Sequence, residues 1–114
     1  MGYICRTKDR QRVVQMGDKA KVLTFLTNYT NKNEQPSLRN WYVGIASNVE
    51  ARLFSDHNVD KQNGLWAHST ADSDSIARAV DADLLAEGLD GGAGGGDDTT
   101  KTVYVYVKTS STNP

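Results

Sequence analysis

Between residues 100 and 109 the side chains alternate strictly, with Val103, Val105 and Val107 on one side of an extended chain and Tyr104 and Tyr106 on the other. A period of two belongs to a β-strand, so this segment is a strand whose valine side needs an apolar partner. Residues 41–45 divide in the same way: Trp41, Val43 and Ile45 point to one face, Tyr42 and Gly44 to the other. A cover comes from residues 74–87, where Ile76, Val80 and Leu84 form an i, i+4, i+8 stripe flanked by Ala77, Ala79 and Ala86, and Gly88 is a natural stop. Together these predict an α+β fold, a small mainly antiparallel sheet flanked by helices, with the Val, Ile and Leu faces forming the core between the layers.

Other segments fill in the order. Asp18 is a suitable N-cap for a helix over residues 19–31, where Val22, Leu26 and Tyr29 share a face. Ser47 and Glu50 have capping-box spacing, so a helix is expected to start at Ser47 with Val49 and Leu53 inward. Residues 65–68 make a short strand, and residues 3–6 and 12–16 are read as a hairpin. The glycine-rich stretch 91–96 closes a helix and leads into a strand, the wrong polarity for a phosphate loop, so a connector or close packing site is expected. One domain over residues 1–114 is expected: a basic N-terminal extension to residue 40, a core over 41–109, and a frayed tail from 110.

Charge is unevenly spread along the 114 residues. The first 47 carry eight Lys or Arg against three acidic residues; residues 48–98 carry eleven acidic residues against three basic ones. Arg6, Arg10, Arg12, Lys19 and Lys21 are the candidate footprint for DNA or another nucleic acid, because phosphate contacts supply most of that attraction. No apolar run is long enough to span a membrane. No apolar leader and a single cysteine, Cys5, favour a cytoplasmic setting, and zinc-type Cys/His spacing is lacking.

The run Trp41-Tyr42-Val43-Gly44-Ile45, followed by a strand-to-helix turn and Arg52-Leu53, resembles the second half-motif of the GIY-YIG nucleases. The ten-residue step from Tyr42 to Arg52, the following His57, and an acidic residue (Asp81) ahead of Leu84-Leu85 are of the family type. The resemblance implies a metal-dependent endonuclease, the kind of module carried by phages and mobile elements. Tyr42 and His57 would be catalytic, and Arg52 would steady the transition state. Asp81 would hold Mg²⁺ or Mn²⁺, and Gly44 would leave room for a phosphate backbone. To cut both strands a module of 12.5 kDa would act as a homodimer. The chain departs from the family in three places: aspartate replaces glutamate at 81, the histidine lies five rather than four residues after the arginine, and no Gly-Ile-Tyr segment precedes Trp41 at hairpin distance. The third gap suggests that Tyr104 or Tyr106, if their strand lies beside residues 41–45, takes the place of the missing tyrosine.

Overall fold

The computed structural model describes residues 2–4, 17–92 and 96–114. Gly2–Ile4 (β1), Trp41–Ala46 (β2), Trp66–Thr70 (β3) and Thr102–Val107 (β4) form one sheet in the spatial order β1-β3-β4-β2, and each neighbouring pair is antiparallel. The α+β class with a mainly antiparallel sheet is therefore the observed one. β4 lies inside the sheet, and both of its faces are covered: Val103 and Val105 are buried in one cluster, Tyr104 and Tyr106 in another. The β2–β4 register sets Val43 opposite Val105 and Ile45 opposite Val103 on one side, and Tyr42 opposite Tyr106 and Gly44 opposite Tyr104 on the other. Residues 2–4 pair with β3; the rest of the expected hairpin, residues 5–6 and 12–16, lies outside the described residues.

Two helices, Lys19–Lys32 (α1) and Asp74–Glu87 (α2), cover the valine side. Asp18 caps α1 as expected, accepting from the Lys21 N–H at 2.9 Å. Ser73 caps α2 through the Ile76 N–H at 3.1 Å. Gly88, at φ 125°, ends α2 in a conformation that side-chain-bearing residues rarely adopt. Val22, Leu26 and Tyr29 from α1 join Ala77, Val80 and Leu84 from α2 over Trp41, Val43, Ile45, Val103 and Val105. Burying each such Val or Leu contributes about 1.5–3 kcal/mol. Because α1 is part of this core, residues 17–40 are no extension. Gly17 is also tied to the end of β3, its N–H bonding the Thr70 carbonyl at 2.9 Å.

The buried side of α2 differs from the expected stripe. Ala77, Val80, Asp81 and Leu84 face inward while Ile76 is only half-buried. The buried residues follow i, i+3, i+4, i+7 spacing, a stripe that has Ala77 and Asp81 on one edge, so Asp81 lies in the interior.

The tyrosine side is covered by residues 47–64. Asn48, not Ser47, starts the turn there, its Oδ1 accepting from the Ala51 N–H at 3.1 Å. Residues Ala51–Asp56 then wind as a π-helix, closed by a bond of 2.9 Å from the His57 N–H to the Arg52 carbonyl. Leu53, Val59 and Trp66 pack with Tyr104, Tyr106 and Ala46 in a second, smaller cluster. The frayed tail is a further correction. Asn113 donates its N–H to the His57 carbonyl at 2.8 Å, and the Asn58 amide donates to the Ser111 carbonyl at 3.0 Å.

Candidate active site on the tyrosine face

Alternation along β2 and β4 places Tyr42, Tyr104 and Tyr106 on one side of the sheet, and the π turn brings His57 among them. Tyr42 stacks on Tyr106 with ring centres 5.3 Å apart and lies 4.9 Å from the His57 ring. His57 Nε2 is 2.7 Å from the Tyr104 hydroxyl, and Nδ1 is 3.0 Å from that of Tyr106 and 2.6 Å from the Asn113 carbonyl. Tyr104 and Tyr106 are 1% and 0% exposed, whereas Tyr42 is only half-buried. Of the three phenols, Tyr42 is the one open to solvent.

All three phenols resist ionisation. Burial is the main cause in each case. It pushes Tyr104 up to about 12 and Tyr106 higher still. Tyr42 is raised by burial and then by the negative charges of Asp90 and Asp81. The positive charge of Arg52 works in the opposite direction at Tyr42, and at Tyr104 it does so together with a side-chain hydrogen bond. Arg52 itself is 47% exposed and pairs with Asp56 at 3.1 Å. Beside it opens a cleft of about 220 Å³, lined by Ile45, Ala46, Ser47, Gly96, Asp97 and Thr100.

Asp81 comes from the helical layer, yet its charge is felt at both Tyr42 and Tyr104. It is 4% exposed, and its Oδ1 has no hydrogen-bond partner among the described residues. Loss of water raises its carboxyl to about 6. A buried carboxylate with an unused oxygen is costly. No group of three or more His, Cys, Asp or Glu side chains that could hold a metal occurs among the described residues, so any cation at Asp81 would depend on ligands from elsewhere. Mg²⁺ commonly takes them from substrate phosphate and water.

Other expected site residues are placed differently. The clearance at Gly44 is already filled: its cross-strand partner Tyr104 lays its phenol where a Cβ would stand, so the missing side chain serves packing and not an approaching backbone. Lys19 and Lys21 belong to α1 on the opposite side of the sheet, and Lys19 pairs with Asp83 at 3.0 Å. They are not part of the tyrosine cluster. Arg6, Arg10 and Arg12 lie outside the described residues. His68 is buried, stacks on Trp66 with ring centres 5.8 Å apart, and is held down to about 4 by burial, against a weaker upward pull from Glu50. The contact that sequence reasoning missed is the Asn113 carbonyl on His57. A main-chain oxygen carries no side-chain signal, and nothing else marked that residue.

Compared with known proteins, the chain matches no family model, no curated protein and no solved structure. No described helix is long and apolar enough to cross a membrane.

Proposed function

We propose that this chain is a GIY-YIG-like domain acting on nucleic acid, as a divalent-metal-dependent endonuclease that hydrolyses phosphodiester bonds. The observation that carries this reading is the gathering of Tyr42, Arg52, His57 and Tyr104 on one side of the sheet, with the π turn between Arg52 and His57. An α-helix returns to nearly the same face after four residues, and i→i+5 winding does so after five. The extra residue between arginine and histidine, a departure from the family pattern, is thereby absorbed: the turn closes on a bond between these two residues.

The roles follow from exposure. Arg52 borders the cleft and can offer its planar fork to a phosphate oxygen. Tyr42, the accessible phenol, is the one able to meet a substrate or its attacking water. Tyr104 and Tyr106 are too buried for that and hold His57 instead. Asp81 stands apart from this group, buried on the helical side of the sheet at 4% exposed. Its unused hard oxygen could hold the Mg²⁺ or Mn²⁺ that this reading requires, for Lewis-acid chemistry at a phosphoryl oxygen, only where substrate reached that side. Cleavage of both strands would take two copies of the chain.

A second reading, a catalytically inactive binding or regulatory module, draws on the filled space at Gly44 and on the Arg52–Asp56 pair. Supercoiled plasmid and branched DNA incubated with Mg²⁺ or Mn²⁺ separate the two. The endonuclease reading expects metal-dependent cleavage that falls about 10²–10⁴-fold in Tyr42→Phe. Salt-dependent binding without cleavage selects the binding module. Cleavage unchanged by Tyr42→Phe rejects the assignment of that phenol.

A further inference from the structure

We propose that residues 109–113, the segment after β4, are a positioning element of this site: the Asn113 carbonyl determines which ring nitrogen of His57 carries hydrogen, and so makes Nε2 the acceptor for the Tyr104 phenol. This rests on the functional reading above only for its catalytic consequence. The geometry stands by itself.

A carbonyl oxygen can only accept. At 2.6 Å from His57 Nδ1, two facing lone pairs would repel, so Nδ1 bears the hydrogen and donates it. The Tyr106 hydroxyl, 3.0 Å from the same nitrogen, then meets that N–H with its oxygen. In the neutral ring Nε2 is left with its lone pair, and the Tyr104 O–H, 2.7 Å away, donates into it. The bonds therefore run in one direction, from Tyr104 through His57 to Asn113. His57 is 7% exposed, which leaves little room for water to replace a lost partner.

The carbonyl is held in place independently of the ring. The Asn113 N–H returns to the His57 carbonyl at 2.8 Å, which clasps residue 57 from both its backbone and its side chain. Asn58 secures the preceding stretch through the Ser111 carbonyl at 3.0 Å. A turn then fixes the approach: the Thr112 N–H reaches the Thr109 carbonyl at 3.2 Å, and the Thr109 N–H reaches Thr112 Oγ1 at 3.0 Å. An acceptor that orients an imidazole and selects its tautomer is a recurring device wherever histidine has to present one particular nitrogen.

Long-range ¹H–¹⁵N spectra of the histidine rings test this directly. The chain has two histidines, so a His68→Gln variant assigns them. The expected spectrum of the unaltered chain shows His57 as the Nδ1–H tautomer. Asn113→Pro, which lacks the N–H donated to the His57 carbonyl, and the milder Asn58→Asp, which tolerates the positive φ of 56° at that position but cannot donate to the Ser111 carbonyl, should each reduce that tautomer's share. Should Asn113→Pro fail to fold, Asn58→Asp and the unaltered chain still decide. An Nε2–H ring in the unaltered chain overturns the proposal, as does an unchanged Nδ1–H ring in the folded variants. If the chain cleaves DNA, the variants should lose roughly 10–100-fold in rate. Absence of cleavage counts against the functional reading and leaves the tautomer result standing.

Discussion

On the helical side of the sheet, β2 and β4 present Trp41, Val43, Ile45, Val103 and Val105 to two helices; on the other side the same strands present Tyr42, Gly44, Tyr104 and Tyr106 to one π turn and a short clasp of chain. Both sides bury large side chains. They differ in what sets the position of each group. Apolar surfaces on the valine side need only fit, because the hydrophobic effect has no direction. On the tyrosine side the two buried phenols, Tyr104 and Tyr106, each meet a ring nitrogen of His57, and losing one of these contacts leaves a buried polar group without compensation. One strand can thus serve as core on one face and as a site on the other, and each face should fail in its own way.

The largest expected effect belongs to the helical side. Leu26→Ala or Leu84→Ala should cost about 2–5 kcal/mol in urea denaturation, while the His57 ring signals of the remaining folded molecules stay unchanged. A shift of those signals would mean that the two faces are not separable. Next comes Gly44→Ala, where the new Cβ collides with the Tyr104 phenol and should cost about 1–3 kcal/mol. In a double-mutant cycle with Tyr104→Ala most of that penalty should vanish. Persistence of the full cost would place the strain elsewhere.

Asp81→Asn sharpens the comparison through pH. The folded-state carboxyl sits at about 6, above its ordinary 3.8, so the ionised form is the disfavoured one. Its contribution to stability is full below about pH 4 and is lost as pH rises through 6. His68 runs the opposite way: held down to about 4 from 6.5, it is most favourable above 6.5 and loses ground as pH falls. Comparing Asp81→Asn with the unaltered chain cancels the His68 effect. The variant should be more stable by roughly 2 kcal/mol at pH 7.5, with little difference at pH 4. Equal stability at both pH values would mean that the carboxylate has a partner after all.

Much of the architecture was legible in the residue pattern because it is periodic. β4 announces itself by alternation, α2 by its stripe and its Gly88 stop, and α1 by Asp18. What periodicity cannot convey is a change of winding. The segment from Ser47 reads as an ordinary helix, and only the backbone reveals that Arg52 bonds to His57 across five residues. The buried side of α2 was hidden for a related reason: Ile76 is more apolar than Ala77 and drew the expected stripe toward itself, whereas Ala77 and, four residues on, Asp81 are the residues that face inward. For the candidate site, the shared face of Tyr42, Tyr104 and Tyr106 followed from strand alternation once β2 and β4 were taken as neighbours. The filled space over Gly44 required knowing its partner in register, and the Asn113 clasp had no sequence signature at all.

The smallest expected stability effect carries the greatest functional weight. Arg52 is half exposed, and its interactions are a surface ion pair with Asp56 and a side-chain hydrogen bond to Tyr104, so Arg52→Ala should alter folding stability by about 1 kcal/mol or less. If the tyrosine face is a phosphodiester-cleaving site, the same substitution should reduce metal-dependent DNA cleavage by at least about 10²-fold. Measuring cleavage and unfolding on one preparation of this variant is the most direct test. The expected result is a folded protein that no longer cuts. A folded protein that cuts as well as before would contradict it and leave the tyrosine side as a second core.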